Sequence, residues 1–286
     1  MSMRDYAEVI GDPITHSKSP LIHSFWLGRL GIDAAYQATH VVPEALGDHL
    51  AARRGDPRWK GCNVTLPHKQ AVMPHLDRID PTAAAIGAVN TVVREGDALV
   101  GYNSDADGFL EPLRPVLAQR HLFRIARIIG SGGAARGIAH ALWGQGFTLV
   151  VIARDPAKAE ALLAPFDPGH VHVGALADLA TPTDFAFDDR VGILDLVINA
   201  TSLGMAGQPP LSLDFSHVPP RALVYDVVYA PLETPLLAEA RARGLPTIDG
   251  LSMLIGQAGI AFEKLFGTPP PRDLEADKEL RALLLR

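Results

Sequence analysis

The sequence contains almost no cysteine, no excess of positively charged residues and no long apolar run. The 286 residues contain one cysteine, Cys62, which excludes an internal disulfide and a cysteine-based zinc cluster. Lysine and arginine number 26 against 32 acidic residues, a formal charge of −6, so a nucleic acid or an anionic membrane is not the expected partner. No apolar stretch reaches the ~18 residues that a membrane-spanning helix needs. These absences predict a soluble globular protein of one large or two medium domains.

Compartment and metal content follow from similar absences. The first residues carry no basic segment followed by an apolar run, so we expect no secretory signal and a cytoplasmic location. His68 and the pair His170 and His172 show no metal-ligand spacing. We therefore expect these to be surface histidines and the protein to bind no metal.

The second half of the chain alternates between apolar runs and helical segments. This alternation is typical of a parallel sheet with helices on both faces. Residues 166–192 are polar and irregular and predict only weak structure. The predicted strands are 125–129, 147–152, 193–199 and 222–228. The predicted helices end near Trp143, span 156–164, and begin at Thr234-Pro235 with Thr234 as N-cap.

The first half and the end of the chain predict further elements. Residues 20–30 predict a helix that turns Leu21, Phe25 and Leu30 inward. Residues 89–102 predict a hairpin that turns near Gly96. The other predictions are a strand at 9–10, a strand at 61–66, and helices at 68–79, 251–266 and 272–285.

Residues 130–135 (GSGGAA) match G-x-G-x-x-A between a predicted strand and a predicted helix. In this context Gly130 permits a tight turn, Gly132 lets a pyrophosphate approach the backbone, and Ala135 allows close packing of helix on strand. The helix N-terminus offers free N–H groups to phosphates. The sequence thus predicts a Rossmann-type dinucleotide site, with a glycine-rich turn that binds nothing as the alternative.

The end of the second strand bears on the choice of nicotinamide cofactor. An NAD site usually has a carboxylate there, whereas this chain has Ala153 followed by Arg154. Arg154, with Lys158 nearby, suits the 2′-phosphate of NADP. Asp155 could repel that phosphate or hold a ribose, so NADP is favoured and NAD is kept as the less favoured alternative.

Polar clusters in the first half follow predicted strands or precede predicted helices, where sites in open sheets form. In the hairpin Asn90 lies across from about Tyr102, and Asp105 follows within roughly 10 Å of extended chain. Asn90 and Asp105 therefore share one neighbourhood, and Lys69 with Asp105 could form an acid–base centre. Plain structural roles stay open: Ser19 as a helix N-cap, Asn63 in a turn, Lys69 in solvent and Asp105 as a helix cap. The clusters are 17–20 (SKSP), 63–69 (NVTLPHK), 88–91 (AVNT) and 103–105 (NSD).

Together these clusters resemble the shikimate dehydrogenase family over nearly the whole chain. The ordered motifs that carry the resemblance are residues 14–20 (ITHSKSP), 63–67 (NVTLP) with Lys69, 87–91 (GAVNT), 103–105 (NSD), 199–205 (NATSLGM), and 249–254 (DGLSML) with Gln257.

The resemblance implies a reversible, NADP-dependent reduction of 3-dehydroshikimate to shikimate, with Lys69 transferring the proton and Asp105 as its partner. The substrate residues that it implies are Ser17, Ser19, Asn63, Thr65, Lys69, Asn90, Asp105, Tyr229 and Gln257. The cofactor residues that it implies are Gly130, Ser131, Gly132, Gly133, Ala134, Ala153, Arg154, Lys158, Thr201, Met205, Val227 and Gly250.

The fold that the resemblance implies is α/β, with a substrate domain, a Rossmann-type domain and a cleft between them. Its segments are 1–105 for the substrate domain, 106–248 for the NADP domain, and 249–286 for C-terminal helices that return to the first domain. The chain departs from the family pattern at Ala153-Arg154-Asp155, at Ala106-Asp107 after the predicted catalytic acid, and at Ala230-Pro231 after Tyr229.

Two alternatives remain. The first is a quinate/shikimate or aminoshikimate dehydrogenase with relaxed or NAD preference. The second is a non-catalytic nucleotide-binding regulator, which the presence of both Lys69 and Asp105 disfavours. We expect a small-molecule substrate as the partner, neither nucleic acid nor membrane, and leave a homodimer open.

Overall fold

Two six-stranded sheets organise residues 4–285, the part of the chain that the computed structural model describes. Each sheet belongs to its own unit: one contains the residues up to Gly108 and those from Ile255 onward, and the other is Phe109–Leu254. Residues 1–3 and 286 lie outside the described residues. The expectation of no secretory signal and the outer limits of the predicted domains rest partly on these residues. The predicted boundaries at 105 and 248 stay a prediction. None of the helices in the described part of the chain is long and apolar enough to cross a membrane.

The first sheet is mixed, as the predicted hairpin requires. The strands are β1 (Asp5–Gly11), β2 (Ala34–His40), β3 (Trp59–Val64), β4 (Arg78–Ile79), β5 (Thr91–Glu95) and β6 (Ala98–Tyr102). Their order in the sheet is β2-β1-β3-β5-β6-β4. The hairpin pairs antiparallel with β3, whereas β1 is parallel to both of its neighbours.

The second sheet is entirely parallel. Its strands are β7 (Phe123–Ile129), β8 (Thr148–Ala153), β9 (Val171–Ala175), β10 (Ile193–Asn199), β11 (Leu223–Asp226) and β12 (Thr247–Ile248). Their order is β12-β11-β10-β7-β8-β9. The α/β class and the Rossmann-like sheet expected from the sequence are therefore confirmed.

Helices follow most strands of both sheets, and those predicted near the second-half strands are present. Thr234 is an N-cap as predicted, because its hydroxyl accepts a hydrogen bond from Leu237 N. The helices are α1 (Ser19–Leu30), α2 (Leu46–Arg54), α3 (His68–Ala71), α4 (Pro81–Ile86), α5 (Asp105–Leu110), α6 (Arg114–Leu117), α7 (Gly133–Trp143), α8 (Pro156–Leu163), α9 (Pro235–Ala242), α10 (Gly250–Phe266) and α11 (Leu274–Leu284).

The predicted inward face of α1 is wrong. Leu21 is 47% exposed and Leu30 is 37% exposed, whereas Ile22 and Trp26 are fully buried. The buried stripe lies about one residue further along, where Trp26 supplies a larger apolar surface than either leucine.

Two predicted segments differ from the structure for local reasons. The helix expected over 68–79 ends at Ala71, because Pro74 lacks the N–H that would continue it and instead lies in a 3-10 turn at Met73–His75. The segment predicted to be weakly structured contains β9, which pairs parallel with β8 at the sheet edge.

His68 is not the surface histidine expected from the sequence. Its side chain is fully buried, and its Nε2 lies 2.6 Å from the carbonyl oxygen of Val41. His170 and His172 are exposed as predicted.

A buried carboxylate organises polar contacts within the first unit. Glu8 on β1 is fully buried, and Arg53 Nε donates to its Oε1 at 2.7 Å. Trp59 Nε1 donates to the same oxygen at 2.9 Å, and Thr39 Oγ1 donates to Oε2 at 2.5 Å. Burial alone raises the pKa of Glu8, but hydrogen bonds from His49, Arg53 and Thr39 outweigh it and lower the pKa to about 2.

Glu8 should make stability depend on pH in the acid range. Its folded pKa is below the ordinary value of 4.5, so its contribution is complete above about pH 4.5 and is lost as the pH falls toward about 2. We expect Glu8→Gln to lower the free energy of unfolding at pH 7 by about 3 kcal/mol. The free energy of unfolding of this variant should also decrease less steeply as the pH falls below about 4.5. Urea unfolding between pH 7 and pH 3 measures both effects.

Glu44→Gln is the matched control, because Glu44 is exposed and should change neither quantity. If the free energy of unfolding of Glu8→Gln decreased with falling pH as steeply as that of the parent protein, Glu8 would not be the source of this pH dependence.

Candidate functional site

Lys69 and Asp105 form a nearly buried ion pair in the first unit. Lys69 Nζ lies 2.5 Å from Asp105 Oδ2, and the two side chains are 13% and 5% exposed. The turn at Pro67 starts α3. Val89 N donates to the carbonyl of Lys69 at 2.8 Å, which fixes α3 against the segment that leads into β5. The plain alternative, that Lys69 is a solvated helix residue, is wrong.

The hairpin brings Asn90 to the same carboxylate, as its predicted register requires. Asn90 N donates to Tyr102 O at 3.0 Å, and Asn90 Nδ2 donates to Asp105 Oδ1 at 2.9 Å. Asp105 begins α5, but its side chain bonds Lys69 and Asn90, while Asn103 Oδ1 accepts from Asp105 N at 2.9 Å. The predicted neighbourhood of Asn90 and Asp105 is confirmed.

Asn63 lies beside Asn90 with its carboxamide held by several partners. Tyr36 Oη donates to Asn63 Oδ1 at 2.6 Å, and Asn63 Nδ2 donates to Asn90 O at 3.3 Å and to Thr91 Oγ1 at 3.1 Å. Asn63 belongs to β3, so the alternative of a turn residue is wrong. Tyr36 was missed because its strand was not predicted.

Serine and threonine residues follow the carboxyl ends of neighbouring parallel strands. Ser17 comes after β1 and Thr65 comes after β3, and Ile10 pairs with Val64 at the ends of those strands. The N-cap position of α1 is Lys18, so Ser19 is not the N-cap; it is the buried first residue, and its N–H donates to Ser17 Oγ at 3.3 Å. The two serines thus contact each other at the start of α1.

Gln257 joins the same unit from near the other end of the chain. It lies on α10, and Ser104 Oγ is 3.4 Å from its Oε1. A Cβ at Gly108 would come within 2.5 Å of Gln257 N, so α5 approaches α10 closely only because residue 108 is glycine. Tyr229, by contrast, belongs to the second unit and follows β11.

The glycine-rich turn of the second unit has the geometry that its motif predicts. Gly130 follows β7 with φ +117°, and a Cβ there would lie 3.0 Å from Ala200 O and Thr201 Cγ2. Gly132 is the N-cap of the 11-residue α7, with open space where a Cβ would stand. Within residues 4–285 no side chain caps this helix, so its first N–H groups are available to an anion.

Arg154 is exposed directly after β8, at the same sheet edge. Asp155 is the N-cap of α8, and its Oδ1 accepts from Ala157 N at 3.1 Å. Its Oδ2 lies 3.9 Å from Lys158 Nζ. One oxygen of the carboxylate that could have opposed a phosphate therefore caps its own helix.

A buried polar network shapes the loop after β10. Asn199 Oδ1 accepts from Thr201 Oγ1 at 2.7 Å, and Asn199 Nδ2 donates to Asp226 Oδ1 at 2.9 Å. Burial raises the pKa of Asp226 to about 6, against the lowering effect of hydrogen bonds from Thr234, Val228 and Asn199. This network holds Thr201 beside the glycine turn.

The remaining cofactor candidates also belong to the second unit. Val227 follows β11 and its N–H donates to Asn199 O at 3.0 Å; a Cβ on Gly250 would lie 2.3 Å from Val227 O. Met205 is 38% exposed on the loop after β10. The second unit thus contains every predicted cofactor residue and Tyr229, and the first unit contains Ser17, Ser19, Asn63, Thr65, Lys69, Asn90, Asp105 and Gln257.

Comparison with known proteins gives consistent matches over the chain. Residues 9–92 match the family model of the shikimate dehydrogenase substrate binding domain. The NADP(+) shikimate dehydrogenase of Sphingopyxis alaskensis is 49% identical over 282 residues, which cover 98% of this chain and 97% of that protein. The enzyme of the same name from Rhodospirillum rubrum is 46% identical over 288 residues, 98% of this chain and 96% of the relative.

A solved structure agrees over the same extent. Shikimate 5-dehydrogenase from Thermus thermophilus, in complex with NADP(H) and shikimate, is similar with a TM-score of 0.81 and 35% identity. The match covers 98% of this chain and 99% of that one. Full-length identity well above 30%, together with the buried lysine–aspartate pair and the glycine turn, makes this chain a member of the shikimate dehydrogenase family.

Proposed function

We propose that this protein catalyses the reversible, NADP-dependent reduction of 3-dehydroshikimate to shikimate. The observation that carries the proposal is the nearly buried contact between Lys69 and Asp105, with Asn90 bonded to the same carboxylate. Reduction of a ketone to an alcohol requires a proton donor at the carbonyl oxygen, and an ammonium held in one position can fill that role. The named activity of the relatives supports the same reaction.

The second unit fits a dinucleotide phosphate. The positive φ of Gly130, the open space at Gly132 and the uncapped start of α7 suit a pyrophosphate, and exposed Arg154 suits a 2′-phosphate. When bound, NADPH supplies the hydride for the reduction. Asp155 Oδ1 caps α8, which gives this carboxylate a structural role and weakens the argument for NAD.

The residues of the first unit would bind the cyclic hydroxy acid and move its proton. Ser17, Ser19 and Thr65 supply hydroxyl groups suited to a carboxylate. Lys69 Nζ would donate a proton to the carbonyl oxygen during reduction and accept it from the hydroxyl during oxidation. Asp105 would hold the ammonium in place and compensate its charge while water is excluded.

The compartment that we propose is the cytoplasm, because Cys62 is a buried free thiol and the fold needs no oxidising environment. A homodimer stays open, as it does from the sequence.

A grid of substrates and cofactors tests the proposed reaction. Shikimate and quinate are each oxidised with NADP+ and with NAD+, and the reduced nicotinamide is followed by absorbance. We expect the highest kcat/KM for shikimate with NADP+. A higher value for quinate or for NAD+ would favour the relaxed dehydrogenase, and no turnover with any pair would favour the non-catalytic regulator.

Lys69→Ala should lower kcat by about 10²- to 10⁴-fold, because the proton donor is removed, and change the KM for shikimate much less. Steady-state kinetics measure both constants, and thermal unfolding checks that the variant folds. Lys60→Ala is the matched control, since Lys60 pairs with Asp5 at the surface of the same unit. A folded Lys69→Ala enzyme with near-normal kcat would refute the role of Lys69.

Arg154→Ala should weaken NADPH binding by about 10- to 100-fold, the effect of losing one charge-assisted contact, and leave NADH binding nearly unchanged. Dissociation constants for the two cofactors, measured by fluorescence titration, give the comparison. Arg221→Ala is the control, because Arg221 is likewise exposed in the second unit. Equal losses for both cofactors would mean that Arg154 does not contact the 2′-phosphate.

A further inference from the structure

Side-chain hydrogen bonds run without interruption from a strand at one side of the first sheet to the ion pair. Tyr36 Oη donates to Asn63 Oδ1, and Asn63 Nδ2 donates to Thr91 Oγ1. Thr91 Oγ1 in turn donates to Asn90 Oδ1 at 3.0 Å, and Asn90 Nδ2 reaches Asp105 Oδ1. Thr91 is fully buried and lies in the middle of this chain of contacts.

The direction of every bond in this chain follows from backbone groups, which cannot exchange donor for acceptor. The N–H of Ser104 donates to Asn90 Oδ1 at 2.9 Å, so this atom must be the oxygen of the carboxamide. The carbonyl of Asn90 accepts from Asn63 Nδ2, so that atom must be the nitrogen. The Thr91 hydroxyl lies between the two and has one proton, so it accepts from Asn63 and donates to Asn90.

The polarity of the Asn90 carboxamide decides what Asp105 meets. With Oδ1 held by Thr91 and Ser104, Nδ2 faces Asp105 and donates to Oδ1, which leaves Oδ2 for Lys69. Rotated by half a turn, the carboxamide would place its oxygen against the carboxylate, and two acceptors would repel each other. The orientation of Asn90 therefore controls the position of the carboxylate beside Lys69.

Resting on the proposed function, we propose that Thr91 is a positioning residue for this reaction, acting through Asn90 to hold Asp105 against Lys69. Tyr36 supports it from the far end through Asn63. Register makes the arrangement possible, because Asn63 and Thr91 are paired across β3 and β5 and their side chains share one face. No contact between Thr91 and the substrate is needed.

Thr91→Val and Thr91→Ser separate the hydroxyl group from the shape of the side chain. Valine keeps the volume and removes the hydroxyl, so we expect kcat to fall by about tenfold, the size of one lost buried hydrogen bond, with little change in the KM for NADP+. Serine keeps the hydroxyl and should recover most of the lost kcat. A structural role alone would lower thermal stability in Thr91→Val without this difference in kcat.

A double-mutant cycle with Asn90→Ala tests whether Thr91 acts through Asn90. Without the carboxamide, Thr91→Val should cause little further loss of kcat, because its effect has already been removed. If Thr91→Val does not fold, Tyr36→Phe interrupts the same series of hydrogen bonds at its other end. It should lower kcat by a smaller factor, and this effect should also disappear in the Asn90→Ala background. The control for Tyr36→Phe is Tyr6→Phe, because the hydroxyl of Tyr6 donates to Asp56 and not to Asn63.

The outcomes distinguish this inference from the proposed function. If the parent protein does not oxidise shikimate with NADP+, the proposed function fails. If the parent is active and Thr91→Val retains its kcat, or Thr91→Ser loses as much as valine, the positioning role fails. Full additivity of Thr91→Val, or of Tyr36→Phe, with Asn90→Ala would equally overturn it.

Discussion

A lysine side chain can be removed from water in this fold because a carboxylate lies 2.5 Å from its ammonium. An isolated ammonium in so dry a position would carry a large desolvation penalty, and so would an isolated carboxylate. The ion pair needs further polar contacts to be tolerated, and Asn90 provides one of them through its amide nitrogen. The hairpin register, the early end of α3 and the start of α5 are the backbone features that bring these groups together.

In the proposed function, the second unit solves a different physical problem, since it must accept the negative charge of a dinucleotide phosphate. It does so with backbone geometry at the carboxyl edge of a parallel sheet, where the strand ends at Ile129, Ala153 and Asn199 lie side by side. Gly130 makes room for the loop after β10, and that loop is held by the buried contact between Asn199 and Asp226. In the proposed function, the exposed guanidinium of Arg154 adds selectivity for the 2′-phosphate.

Much of this arrangement could be predicted from the sequence where pattern and local chemistry agree. The parallel sheet follows from alternating runs, and the contact between Asn90 and Asp105 follows from the length of the hairpin. The buried face of α1 was not predictable in the same way, because Ile22 and Trp26 are chosen by what α1 packs against and not by periodicity alone. The early end of α3 could have been predicted from the sequence, because Pro74 lacks the N–H that would continue the helix.

The polar network behind the ion pair shows a deeper limit of sequence reasoning. Tyr36 and Asn63 are 27 positions apart, and their hydrogen bond exists only after β1 has placed β2 and β3 on either side of itself. The role of Thr91 likewise depends on cross-strand pairing. Contacts of this kind are properties of register and topology, which a single sequence does not state.

The discontinuity of the first unit has a consequence for how the polypeptide matures. Its aromatic cluster joins His23 and Trp26 near one end of the chain to Phe262 near the other, with ring centroids 5.7 and 5.5 Å apart. Residues 109–254 are all synthesised before Phe262, so every residue of the second unit is in place in the chain while the first unit still awaits its last helices. A released polypeptide that ended shortly before Phe262 would thus contain the whole second unit, yet the indole of Trp26 and the imidazole of His23 would lack the ring that packs against both.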